Sequence, residues 1–162
     1  LKNEGLLIIG VGSFFAGDDA AGLEVIRRLK ENNLPPSITL KEAETPGIDF
    51  LEEIRNFEEV WVVDAVDAKK EAGEIIFADI NELQLLSQKI VSLHGLSLYE
   101  ALELADLFLP EELPRKIKIL GIQKASIEGG KTTISEEVAA AISNAVKIIL
   151  AEINKKDQGE SA

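Results

Sequence analysis

Three features of the sequence predict a three-layer α/β domain. Short apolar runs alternate with stretches of helical periodicity. A strand–helix–strand–helix–strand succession is complete within the first 63 residues, and the first apolar run ends in a glycine turn. That succession is the mark of parallel βαβ units with right-handed crossovers.

Leu6-Leu7-Ile8-Ile9-Gly10-Val11 reads as a strand buried on both faces, since no polar residue interrupts it. A helix follows over 20–32, with Leu23, Ile26 and Leu29 on one face and Arg27, Arg28 and Lys30 largely off it; Pro35-Pro36 stops it. Ile38-Thr39-Leu40-Lys41-Glu42 is a short second strand. Thr45-Pro46-Gly47 turns the chain into a helix near 48–56 that carries Phe50, Leu51 and Ile54. Val60-Trp61-Val62-Val63 is the third strand, apolar throughout and ended by Asp64.

The second half is looser. Gly73 precedes Ile75-Ile76-Phe77, a short strand or hairpin arm, and 81–88 has room for one or two helical turns. Ser97 and Glu100 have capping-box spacing and open a helix to about Leu109. Pro110 and Pro114 bracket a turn before the last strand, 116–122. A long helix over 135–154 carries Val138, Ile142, Ala145, Ile149 and Ile153 at helical spacing. The polar tail 155–162 is expected to fray, and residues 1–162 read as one domain.

Composition narrows the function. A chain of 162 residues buries roughly 68–70% of its unfolded surface and needs no disulfide or metal staple. Its net charge of −12 repels phosphate backbones, which argues against a nucleic-acid partner. The absence of Cys excludes thiolate zinc sites and a Cys nucleophile. No apolar run approaches 18 residues and the N-terminus lacks a secretory pattern, so a cytoplasmic protein without membrane insertion is expected.

In parallel sheets ligands collect outside the carboxyl ends of the strands, where strand order reverses. Two segments fall there: the loop 12–19 after strand one, with Asp18 and Asp19, and Asp64-Ala65-Val66-Asp67 at the end of strand three. A dinucleotide fingerprint begins at Gly10 and Gly12 but meets Phe15 where its third glycine belongs. The ring is expected to block the close helix–strand packing that this glycine permits, and the aspartates would repel a pyrophosphate.

Each acidic residue also has a plain structural explanation. Asp18 or Asp19 is suited to cap the helix that follows, although one cap uses only one carboxylate. Asp64 is suited to a cap or turn, but at the rim of an apolar strand its carboxylate needs a donor, a cation or a metal. His94, the only histidine, precedes the proposed cap Ser97, where the positive helix end favours neutral imidazole, the form that ligates metals. Two carboxylates and an imidazole from three loops would make an open metal site of oxygen and nitrogen donors. Phe14 and Phe15 belong either to the core, the reading preferred from sequence, or to an apolar lip beside such a site.

These residues sit within a set of motifs: GVGSFFAGDDAAG at 10–22, ETPG at 44–47, VVDAVDAKKEAG at 62–73, SLHGLSL at 92–98 and LGIQ at 120–123. Together, and in this order, the chain resembles the NiFe-hydrogenase maturation endopeptidases over nearly its whole length. The resemblance implies an α/β/α sandwich around a five-stranded, mostly parallel sheet of the phosphorylase/hydrolase-like type. It implies removal of a C-terminal extension from a hydrogenase large-subunit precursor after nickel insertion. On this resemblance Asp19, Asp64 and His94 bind the metal and carry catalysis, while Glu42, Thr45 and Gly47 support or position the substrate. Nickel is expected to arrive with the substrate, though zinc or cadmium from buffer would fit the same donors. The partner is then the precursor, and the peptidase is expected to be a monomer. Departures from the family pattern are Ser13 for Asn, Ala20 for Gly, Glu42 for Asp, Ala72 for Pro and Lys124 for Pro; none touches the three ligands. The alternatives are a metal-dependent peptidase of other specificity and a Rossmann-like nucleotide-binding module.

Overall fold

The computed structural model describes residues 3–44, 48–84, 91–92, 107, 110–125 and 132–160. Its strands are β1 (Asn3–Val11), β2 (Ile38–Ala43), β3 (Phe57–Asp67), β4 (Ile75–Asp79), β5 (Val91–Ser92) and β6 (Lys116–Gln123). The helices are α1 (Ala21–Leu29), α2 (Ile48–Ile54), α3 (Ile80–Gln84) and α4 (Glu136–Glu160). The main sheet has the order β2-β1-β3-β6-β4; all neighbours are parallel except β4, which closes one edge antiparallel to β6. The two-residue β5 pairs antiparallel with the end of β3 and lies off this path. This is the expected five-stranded, mostly parallel sheet with one small addition.

Period-two alternation splits the core between the two faces of the sheet. Leu6, Ile8, Trp61, Val63, Leu120 and Ile122 pack with residues of α1 and α4. Leu7, Ile9, Val60, Val62 and Ile119 pack with Phe50 and Ile54 of α2. Leu7, Ile8 and Ile9 are completely buried, and each such side chain contributes about 1.5–3 kcal/mol of transfer free energy. Both faces of the central strands are covered, which is why β1 reads as an unbroken apolar run.

Several elements differ from their expected bounds. A 3-10 turn, Gly17–Ala20, precedes α1, which ends at Leu29 instead of continuing to 32. The Asn32 side-chain amide donates to the Arg28 carbonyl at 2.9 Å and satisfies one carbonyl at the helix end. β3 continues past Val63 because Asp64, Ala65 and Val66 pair with Gly121, Ile122 and Gln123 of β6. Asp64 is therefore inside a strand and not at its end. α4 continues through Glu160, past the point where a frayed tail was expected. Lys155 pairs with Glu152 at 3.0 Å within the helix, and Lys156 reaches Glu59 of β3, which holds the last turns on the sheet. The helix expected to open at Ser97 lies outside the described residues apart from Leu107, as do 85–88 of the expected helical turns.

The chain leaves β1 for β2 on one side and then returns to β3 on the other. The order thus reverses between β1 and β3, and their carboxyl ends flank the crevice where such sheets bind ligands.

Candidate functional site

The loop after β1 and the middle of β3 meet at that crevice. Pairing between β1 and β3 ends at Gly10 with Val63, so Asp64 is the first β3 residue beyond the fork. It is 4% exposed. By alternation it shares the α2 face with Val62 and Val66.

Helix α1 starts directly over the fork. A Cβ on Gly22 would lie 2.3 Å from the Val63 carbonyl oxygen and 2.4 Å from that of Val11. One on Gly10 would lie 2.2 Å from the Gly22 carbonyl oxygen. Real Cβ atoms do not approach oxygen so closely, so both residues must lack one. Asp19, in the turn ahead of α1, is thereby brought to the same edge as Asp64. The sequence expectation that Phe15 blocks close helix–strand packing is wrong: Gly22 supplies that contact, and Phe15 points away at 88% exposure. Phe15 also has a positive φ of 62°, uncommon for a bulky side chain. Phe14 is half-buried beneath the Arg27 guanidinium, 4.2 Å from its ring centroid. Core packing, the preferred reading of this pair, therefore fails for Phe15.

Neither Asp18 nor Asp19 caps a helix; the cap positions are Ala16 and Ala20, without side-chain bonds. The two have different surroundings. Asp18 is completely buried and accepts hydrogen bonds from the Ala125 amide (2.9 Å), the Ser135 amide (2.7 Å) and the Ser135 hydroxyl (3.0 Å). Asp19 is half-buried, with its amide donating to Ala16 and its carbonyl accepting from Ser13. Of the acidic pair, the first is anchored through its buried carboxylate and the second holds the turn through its backbone.

Glu42 stands opposite Gly10 on β2 and pairs with Lys30 at 3.1 Å. Asp67 accepts hydrogen bonds from the side chain and amide of Lys69 and from Gln123. The Lys69 side chain and backbone, with help from Gln123, outweigh the opposing effect of burial and hold the Asp67 carboxyl below its ordinary value. His94, Thr45 and Gly47 lie outside the described residues. Among the described residues no three of His, Cys, Asp and Glu form a metal-holding group. Sequence reasoning did not assign a role to Gln123, although it belongs to the LGIQ motif. It is 4% exposed and hydrogen-bonds the exit of β3.

A hollow of about 520 Å³ lies at the opposite, amino edge of the sheet, lined by residues including Glu58, Glu59, Arg115, Lys116 and Lys156. Its charges are matched internally, Glu59 with Lys116 and Lys156, and Glu58 with Arg115. The carboxyl edge is the better candidate, because that is where the strand order reverses.

The family model for hydrogenase maturation proteases matches residues 23–152. The chain belongs to the hydrogenase maturation protease family. The matched stretch includes Asp64 and His94 and begins just beyond Asp19. A relative from Methanocaldococcus jannaschii, placed in the same family by its name, is 32% identical over 96% of this chain and 100% of its own. Among solved structures, the hydrogenase maturating endopeptidase HybD from E. coli superposes with a TM-score of 0.78 at 25% identity, covering 94% of this chain and 93% of that one. The protease HycI from Thermococcus kodakarensis KOD1 gives 0.70 at 31% identity, covering 93% and 92%. Membership makes the chain a peptidase of hydrogenase maturation. Among the described residues no helix is long and apolar enough to cross a membrane.

Proposed function

We propose that this peptidase removes the C-terminal extension of a NiFe-hydrogenase large-subunit precursor, and that nickel carried by the precursor is what it recognises. What supports this reading most is that the turn carrying Asp19 precedes α1, which is seated on the β1–β3 fork, and that Asp64, 45 positions later, is the first β3 residue beyond that fork. In this reading both carboxylates meet the metal carried by the precursor, so precursor without metal lacks that contact and docks poorly. His94 is the third donor in this reading, assigned from sequence. An O,O,N donor set suits nickel, with zinc the natural competitor.

Cleavage adds water across the scissile amide. The water oxygen bonds to the carbonyl carbon as the C–N bond breaks, and the water proton ends on the leaving amine. Asp19 or Asp64 takes the proton from the attacking water. Activation of that water belongs either to the docked nickel or to the carboxylate pair. The chain has no Cys, and no Ser in a G-x-S-x-G elbow, which argues against a covalent acyl-enzyme.

Mass spectrometry of a nickel-loaded precursor before and after incubation tests the proposal. The native chain is expected to shorten the precursor by its extension. Asp64→Ala, with Asp64→Asn as the volume-matched control, leaves it whole while unfolding within about 3 kcal/mol of the native chain. Nickel-free precursor stays uncut. Equal trimming with and without nickel removes the recognition mechanism, and native rates in Asp64→Ala remove that residue's assignment.

A further inference from the structure

We propose that the exit of β6, residues 123–125, is a brace that sets the spacing between the two halves of the site, with Asp18 and Gln123 as its positioning residues. The inference rests on the proposed use of Asp19 and Asp64.

Three consecutive residues of this segment hold both sides of the crevice. On the β3 side, the Gln123 Oε1 accepts from the amides of Ala68 (2.8 Å) and Lys70 (3.3 Å). Its Nε2 donates to the Lys124 carbonyl (3.1 Å) and to Asp67 (3.4 Å). The Gln123 backbone exchanges hydrogen bonds with Gly73 and Glu74, both 2.8 Å, and the Lys124 amide donates to the Val66 carbonyl at 3.1 Å. The exit of β3, three residues beyond Asp64, is therefore pinned from Val66 to Glu74. On the other side, the Ala125 amide donates to Asp18, the residue just before Asp19. The Asp18 carboxylate also holds Ser135, which precedes α4.

The chemistry of these two side chains fits a brace better than simple filling. A completely buried carboxylate costs several kcal/mol in desolvation unless donors meet it. A shorter polar side chain could not accept from two backbone amides and a hydroxyl at once. Here the acceptor joins the turn bearing Asp19, the exit of β6 and the start of the longest helix. Gln123 likewise uses both ends of its amide, two bonds accepted and two donated. Fully satisfied buried networks of this kind hold one geometry, and catalytic groups tolerate little misplacement.

The test compares trimming of the nickel-loaded precursor by the native chain, Asp18→Asn, Gln123→Met and the double variant. Rates are expressed per folded molecule, with the folded fraction taken from circular dichroism. Each single variant is expected to lose about 10- to 100-fold in kcat with KM little changed. The double variant should lose less than the product of the two, because one brace cannot be lost twice. Ser135→Ala, which removes one of three bonds to Asp18, serves where the larger changes fail to fold; its expected loss in kcat is about two- to tenfold. Native kcat per folded molecule in all variants, or fully multiplicative losses, would overturn the brace. Failure of the native chain to trim the precursor would instead overturn the proposed function, so the two failures are distinguishable.

Discussion

Asp18 and Asp19 are adjacent, chemically identical and placed in the same turn, yet the fold gives them opposite tasks. Asp18 is sealed among the Ala125 and Ser135 donors, 107 and 117 positions away, while Asp19 is half-buried and tied to its turn through the backbone. The pair therefore needs no shared cap and no mutual neutralisation. Removing Asp18 leaves two half-buried amides and the Ser135 hydroxyl without their acceptor, so Asp18→Ala is expected to cost about 2–4 kcal/mol. Asp19→Ala breaks no such bond and should stay within about 0.5 kcal/mol of the native chain. Urea unfolding of both variants measures this; equal stabilities would refute the division. Sequence reasoning expected one aspartate to cap and the other to be left over, whereas neither caps and one is buried. It could not tell which, because their distinguishing partners come from the far end of the chain.

At the scale of elements, the seat of α1 decides the site. Gly22 lets the helix rest against the carbonyls of Val11 and Val63, so the first turn of α1 sits over the fork of β1 and β3. Its positive end then faces the edge where the carboxylates gather, an arrangement favoured by the helix dipole. Gly22→Ala is expected to lose more than about 3 kcal/mol or to fail to fold, since the helix must lift off both strands. A melting temperature within a few degrees of native would show that α1 can shift without cost. This contact also explains why the dinucleotide fingerprint misleads. The close approach that its third glycine provides is present, but from position 22 and with Phe15 turned outward. The glycines were visible in the sequence; which of them meets a strand depends on where the loop between them goes.

Across the whole molecule, the two edges of the sheet do different work. At the amino edge Glu59 joins β3 to α4, accepting from the Trp61 indole at 2.7 Å and from Lys156. Burial raises the Glu59 carboxyl, but the bonds from Lys156 and Trp61 and the charges of Lys156 and Lys116 prevail, leaving it below its ordinary 4.5. The unfolded chain therefore binds this proton more readily than the folded one. The stability from Glu59 is complete above about pH 4.5 and is lost as pH falls through the lower folded value. Thermal melts from pH 6 to 2 should show a shallower acid decline in Glu59→Gln than in the native chain. An unchanged slope would mean that other carboxylates set the acid limit.

The order of strands and helices through β3 and the two-faced burial of β1 and β3 followed from periodicity and the position of glycines. These are local properties, written in side-chain spacing along each segment, and family motifs lie in the same local text. The tertiary structure decided what depends on residues distant in the chain. It extended β3 through Asp64, carried α4 to Glu160 by its tie to Glu59, exposed Phe15 and separated the roles of the acidic pair. The physical reason is that burial, exposure and the ends of elements depend on neighbours the fold brings from other parts of the chain, which no local pattern records.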